Sequence, residues 1–203
     1  PKLKARFTGY FNETKNTTDV AFYYADEING GNGAFVTEVI TGQNRKNVGL
    51  EVGLEYQVTS TIKATAVAAY GDYKYTNNPN ITLLADGILT RINDDTVSKM
   101  KGYEVSGMPQ EAYSVGLEYR DPKFWWIGVN ANYLAQNYLD ISPLMRTSDF
   151  YTKSDNANFP VNQDLADSYL KQEKFGSFSL INIVGGKSWK IKNNTLGLFA
   201  NIN

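Results

Sequence analysis

From Asn47 to Val58, six apolar residues (Val48, Leu50, Val52, Leu54, Tyr56 and Val58) alternate with Asn47, Gly49, Glu51, Gly53, Glu55 and Gln57. Side chains alternate sides along an extended chain, so this segment reads as a strand with one apolar and one polar face. On a helix, Leu50 and Leu54 would share a stripe with Glu51 and Glu55, which rejects the helical reading.

The pattern recurs along the chain. Leu3, Ala5 and Phe7 alternate with Lys2, Lys4, Arg6 and Thr8, and Tyr113, Val115, Leu117 and Tyr119 with Ser114, Gly116, Glu118 and Arg120. Trp125, Ile127, Val129, Ala131 and Tyr133 oppose Gly128, Asn130 and Asn132; Leu196, Leu198, Ala200 and Ile202 oppose Gly197, Asn201 and Asn203, with Phe199 out of phase. Ile62 to Tyr75 is alanine-rich on both faces, and Phe175 to Ile191 changes phase near Leu180-Ile181, which predicts a bulge there. Seven strands result, the first two (Lys2 to about Tyr24 and Phe35 to Val58) longer than the ~9–11 residues that cross a bilayer at a tilt.

The connections sort by end. Thr59-Ser60, Asp121-Pro122-Lys123 and Lys192-Asn193-Asn194 are tight turns, whereas Asn77 to Glu111 and Asp140 to Glu173 are long loops, and Asp26 to Gly33 lies at the same end as the long ones. Ordinary hairpin loops have about 2–5 residues. Short turns on one rim and large loops on the other are the asymmetry of outer-membrane barrels. Aromatic residues at strand ends would then supply two interfacial girdles: Tyr56, Tyr119, Phe124, Trp125, Trp126 and Trp189 near the turns, and Tyr70, Tyr73, Tyr75, Tyr133 and Tyr138 near the loops. Within the loops, Ile81 to Arg91 reads as an apolar hairpin around Asp86-Gly87, and Asp164 to Leu170 as a short helix capped by Asp164.

Composition narrows the classes further. An apolar share of 42% and an aromatic share of 13% exclude a disordered tail. A net charge of −1 provides no basic footprint for nucleic acid. The sequence has no run of 18 apolar residues, and its mean hydropathy of −0.39 is neutral between a soluble β-protein and a barrel, which shows lipid only every second side chain. Without Cys or His, thiolate metal sites and His-dependent nucleophile systems are excluded. The chain starts at Pro1 and stops at Asn203 inside a strand pattern, so a longer parent protein is expected.

Several blocks carry a family resemblance. Met108-Pro109-Gln110-Glu111-Ala112-Tyr113 leads into Gly116-Leu117-Glu118-Tyr119-Arg120-Asp121-Pro122-Lys123-Phe124-Trp125-Trp126. Tyr138-Leu139-Asp140-Ile141-Ser142-Pro143 and Val184-Gly185-Gly186-Lys187-Ser188-Trp189 follow. With Asn47 to Tyr56, their order and spacing resemble the C-terminal barrel of TonB-dependent receptors, in the Bacteroidetes-type branch with an N-terminal carboxypeptidase-regulatory-like domain. The resemblance implies an all-β, antiparallel transmembrane barrel of roughly 22 strands, of which residues 1–203 would be about seven, with extracellular loops at about 77–111 and 140–173. It also implies a bacterial outer-membrane location and active uptake of an oligosaccharide, peptide or metal chelate. The implied partners are outer-membrane lipid, an N-terminal plug domain and the TonB energy-coupling complex, with a surface lipoprotein as a further candidate. The plug and the final strands are expected to lie outside this sequence.

Other readings weigh less. Asp94-Asp95 and Asp26-Glu27 are carboxylate pairs, but the oxygen ladder of a calcium loop is missing, so solvated loop charge is the simpler reading. Glu51, Glu55 and Glu118 on alternating wall positions suit contact with a plug or water better than acid–base catalysis. Gly185-Gly186-Lys187-Ser188 lacks the strand-to-helix setting of a phosphate loop, and Trp125-Trp126 beside a turn reads as girdle rather than sugar platform. No enzyme activity, cofactor or metal is expected, and no catalytic or binding residue is assigned. Competing functions are a passive porin or channel, a non-transporting surface barrel of an adhesin or secretion assembly, and a soluble β-sandwich binding module. The last would leave the Val/Leu/Tyr faces as a large exposed patch.

Overall fold

The computed structural model describes residues 2–26, 31–86, 91–152 and 162–203. Among these residues eleven strands run in chain order: β1 (Leu3–Ala25), β2 (Ala34–Gln57), β3 (Ile62–Tyr75), β4 (Asn80–Ala85), β5 (Arg91–Val97), β6 (Glu111–Arg120), β7 (Trp125–Ala135), β8 (Asn137–Tyr138), β9 (Lys174–Phe175), β10 (Phe178–Ile191) and β11 (Asn194–Ile202). A 3-10 turn (Leu144–Arg146) and helices α1 (Ser148–Thr152) and α2 (Gln163–Leu170) lie between β8 and β9. The fold is all-β and antiparallel.

The seven strands expected from the alternation are β1, β2, β3, β6, β7, β10 and β11, and they pair in that order, each antiparallel to the next. β4 and β5 form the hairpin expected around Asp86, and β4 joins the main sheet beside the loop-end half of β2. β2 therefore has two neighbours on one side, β3 along residues 45–57 and β4 along 36–41. The side chain of Asn77 closes the gap between them. Its Oδ1 accepts from the Asn44 amide at 2.8 Å, and its Nδ2 donates to the Gly42 carbonyl at 2.7 Å. Gly87 and residues 88–90 lie outside the described residues, as does Glu27 of the Asp26-Glu27 pair; so do the side chains of Asp94 and Asp95.

Register decides which side chains share a face. Leu54 faces Ala5 and Ala66 on its two neighbours, Val115 faces Ala66 and Ala131, and Ile183 faces Val129 and Ile202. Those positions form one continuous apolar face. Lys4, Glu55, Lys63, Glu118, Asn130, Asn182 and Asn201 fall on the other.

The expected bulge at Leu180-Ile181 does not form, because β10 holds one register against β7 from Phe178 to Lys187. The apparent phase change arises because Phe178, Leu180 and Val184 are apolar residues on the polar face. Bulges occur instead in β1 and β2. Between Thr14 and Thr17, β1 carries one residue more than β2; between Thr17 and Asp19, β2 carries one more than β1. Asn16 and Gly42, at φ +54° and +71°, supply the left-handed backbone these bulges need. Each bulge reverses the parity of its strand, and together they restore the register. Beyond them Ala21, Tyr23, Val36, Glu38 and Ile40 continue the polar face, while Val20, Phe22, Tyr24 and Phe35 continue the apolar one and stay exposed.

The cap of α2 also differs from expectation. Asn162 is the N-cap, its Oδ1 accepting from the Leu165 amide at 3.0 Å, and Asp164 sits within the first turn. Capping geometry joins the cap side chain to the amide three residues on, which favours Asn162 over Asp164.

Close packing on the polar face centres on two glycines. Gly49 and Gly71 are register partners, and the ring of Tyr10 lies across Gly49 as that of Tyr73 lies across Gly71. The two hydroxyls hydrogen-bond and the ring centroids are 6.4 Å apart. A Cβ at Gly49 would meet the Tyr10 ring and the Tyr70 carbonyl, which lies 2.7 Å from that position. Gly49→Val should therefore cost about 1–3 kcal/mol through forced repacking. At Gly53, whose added Cβ meets nothing within 4 Å, the same change should cost much less, as unfolding in detergent would measure.

Candidate functional site

Short of the bulges, the apolar face has one height on several strands, and apolar residues return to it only on the projecting ends of β1 and β2. On β1 it runs from Leu3 to Phe11, on β2 from Val48 to Tyr56, on β3 from Ile62 to Tyr70, and on β7 from Trp125 to Tyr133, about nine residues each, close to what a tilted spanning strand needs. Aromatic residues border it at both ends: Tyr56, Tyr119, Trp125 and Trp189 beside the tight turns, Tyr70, Tyr113 and Tyr133 toward the loops. Just beyond the loop-end border the same face carries Glu13, Lys46, Asp72, Lys74 and Glu111. Its residues are exposed, among them Leu50 (54%), Val115 (59%) and Leu117 (60%).

Part of the expected girdles lies elsewhere. Trp126 is on the polar face, opposite Arg120, whose guanidinium carbon is 5.8 Å from the indole centre. Trp125 is on the apolar face against Tyr119, with ring centroids 4.9 Å apart. Consecutive residues of one strand point to opposite sides, so the two indoles cannot form one platform. Tyr73 and Tyr75 also belong to the polar face, where they pack under the loops. Gly185 to Ser188 lie within β10 in extended backbone, not at a strand-to-helix turn.

Across the polar face near the turns, charges connect neighbouring strands. Lys4 pairs with Glu55 at 2.8 Å, Lys63 lies 3.7 Å from Glu55 and 3.5 Å from Glu118, and Arg120 pairs with Glu118 at 2.6 Å. Two of the three wall glutamates singled out in the sequence thus belong to one alternating ladder across β1, β2, β3 and β6. Their partners satisfy them electrostatically, which leaves neither as a free base. The interstrand register, not visible in one strand alone, is the signal that finds this ladder. Further along the face, Asn130, Asn182, Asn201 and Phe199 line an open depression of about 480 Å³ with Lys63 and Glu118.

At the other end the two long loops pack on each other and over the polar face. One cluster joins Val36, Ile81, Leu83 and Ala85 with Leu144 against it; a second joins Tyr75, Met100, Val105 and Ile141. Polar groups fix the contact. Gln172 accepts from the Glu104 amide and donates to the Glu104 carbonyl, both at 2.9 Å, and Ser98 donates to the Pro143 carbonyl at 2.7 Å. Buried Arg146 donates to the carbonyls of Ser142 and Leu170, each at 3.0 Å, and its guanidinium carbon lies 4.4 Å from the centre of the Tyr103 ring. The Tyr103 hydroxyl donates to the same Leu170 carbonyl at 2.8 Å.

Under these loops is a cleft of about 240 Å³ lined by Asp19, Glu38, Gln43, Tyr75, Asp140 and Ile141 among others. Asp19 is paired with Arg45, which also donates to the Gln43 side chain and stacks over the Tyr75 ring. Asp140 accepts from the Ser106 hydroxyl and the Ile141 amide. Glu38 is only 6% exposed, and burial pushes its carboxyl above the usual carboxylate range. Nearby Tyr23 is pushed up as well, by burial and then by the charge of Glu38. Nothing in the local sequence marks Glu38 as special; the bulges that turn it inward are what make it so. Among the described residues no helix is long and apolar enough to cross a membrane, and no cluster of three or more His, Cys, Asp or Glu could hold a metal ion.

Arg146 is the joint of the loop assembly. Arg146→Met should weaken it by about 2 kcal/mol, the range for hydrogen bonds from a charged group, while the wall strands keep their stability. Faster hydrogen exchange at the amides of Lys99 and Tyr103, with unchanged exchange in β6 and β7, would register this; equal protection throughout would contradict it.

No protein-family model, curated protein or solved structure matches the chain.

Proposed function

We propose that the chain is a stretch of wall and loop-end cap from a larger outer-membrane β-barrel, and that this barrel is a TonB-dependent receptor for uptake of an oligosaccharide, peptide or metal chelate. The observation that carries the membrane reading is the apolar belt. It is about nine residues tall on each of four strands, bordered by aromatics at both ends and closed by a charged row toward the loops. A spanning barrel needs such a belt, whereas a soluble sheet with one face in water would carry polar residues there. The receptor reading rests on the family resemblance, and the inward-packed loops support it, since recognition elements commonly sit on loops held by a rigid scaffold.

On this reading the outward face meets lipid and the polar face meets water or a plug domain supplied by the rest of the protein. Energy would come from the TonB complex acting on that plug, and a surface lipoprotein is a further candidate partner at the loop end. No catalytic step belongs to the reading.

Lysine at Leu54 should destabilise the intact protein by about 2–4 kcal/mol in lipid, because it places a charge mid-belt, while lysine at Gly53 should cost under about 1 kcal/mol. Equal costs in lipid-vesicle unfolding would remove the membrane assignment. Uptake in whole cells separates receptor from porin: collapse of the proton gradient should stop it, and uptake that persists would mark a passive channel.

A further inference from the structure

We propose that the cleft beneath the two long loops is a binding site for a primary ammonium group on a short alkyl chain, with Glu38 as its counter-charge. The inference deepens the receptor reading by naming the chemistry of one part of a solute.

Glu38 is the group this cleft leaves unmatched. It is more than nine-tenths buried, lines the cleft, and has no hydrogen-bond or ion-pair partner among the described residues. A buried carboxylate left without a partner is costly, and proteins usually pair such groups or neutralise them. The packing of β4 and the loops nevertheless encloses it. Around it the charges do not cancel: Asp19 is matched by Arg45, but Asp140 holds only neutral donors, so two carboxylates face the space without a cation. A positive ligand would supply what the fold does not.

The form of that cation follows from the remaining walls. Calcium takes about 6–8 oxygen ligands, and the described residues offer no cluster of three or more acidic or imidazole groups. Ala21, Ile40, Met100, Ile141 and Pro143 give the cleft an apolar lining, which suits methylene groups behind a charged head. A volume of about 240 Å³ admits the end of an amine-bearing molecule but not a whole oligosaccharide. A lysine side chain, the amino end of a peptide or a polyamine all present this group.

Calorimetric titration of the intact protein in detergent would test the site with three probes: n-butylammonium chloride, the neutral isostere n-butanol, and calcium chloride. The ammonium should bind at least tenfold more tightly than the alcohol, and calcium should not compete with it. Glu38→Gln should weaken ammonium binding at least tenfold, and Ala21→Phe, which fills the cleft beside Glu38 while keeping its carboxylate, should abolish it. Equal binding of amine and alcohol, no binding of the amine, unchanged binding in Glu38→Gln, or displacement by calcium would each overturn the proposal. If Glu38→Gln fails to assemble, the comparison of amine with alcohol on the unaltered protein still decides. None of these readouts depends on transport, so a failed site and a failed receptor reading are told apart.

Discussion

Interstrand hydrogen bonding in constant register is the constraint on which the rest of this molecule depends. Once β2 is paired with β1 and β3 without slippage from Arg45 to Tyr56, the face of every side chain in that span is decided. The apolar belt and the Lys4–Glu55–Lys63–Glu118–Arg120 ladder are two sides of that one fact. A slip of one residue in any strand would send its apolar set to the polar side and break the ladder at the same time. Exposed ion pairs contribute little individually, commonly under about 1 kcal/mol, so the ladder serves alignment more than stability. What holds the strands is the backbone ladder together with cross-strand contacts such as Tyr113 on Tyr133 and Tyr119 on Trp125.

Toward the loops the physics changes. The polar face keeps Asp19, Glu38 and Arg45 but also becomes a place to bury Val36, Ile40, Ile81 and Met100, because the loops fold back across it. Side chains then do what strands do elsewhere. Gln172 pairs with both backbone groups of Glu104 as a neighbouring strand would, and Asn77 stands in for a missing rung between β3 and β4. Such substitutions hold long connections in one arrangement without extending the sheet. A cleft framed this way has walls tied to one another by side-chain hydrogen bonds, and preorganisation of that kind would favour affinity for the ammonium group proposed above.

Much of the main sheet was legible in the sequence because a period of two is a direct imprint of strand geometry. Asn47 to Val58, Tyr113 to Arg120 and Trp125 to Tyr133 alternate clearly, and the tight turns between them mark where the chain reverses. Phe178, Leu180 and Val184 misled because apolar residues on a polar face imitate a change of phase. Asn16 and Gly42 were silent for the opposite reason: the two irregularities cancel, so the hydrophobic pattern on either side stays readable while its orientation reverses. The cleft was out of reach altogether. Glu38, Asp19, Tyr75 and Asp140 are distant in sequence and meet only because two loops and two bulges bring them together. Trp126 and Tyr73, aromatic residues at strand ends, could not be assigned to a face until the neighbouring strands fixed it.

The compensated pair of bulges has a consequence for how such a chain can change over time. An extra residue in β1 is matched by an extra residue in β2 some two dozen positions later. Loss of either one alone would make one strand regular and leave the bulge in the other, with the partners from Asp19 and Ile40 onward unchanged. Loss of both would leave two regular strands, again with Ala21 opposite Glu38, Glu38 on the polar face and Phe22 on the apolar one. Length changes at these two places are therefore absorbed where they occur, and descendants of this sequence can gain or lose either residue while both faces of the hairpin keep their composition.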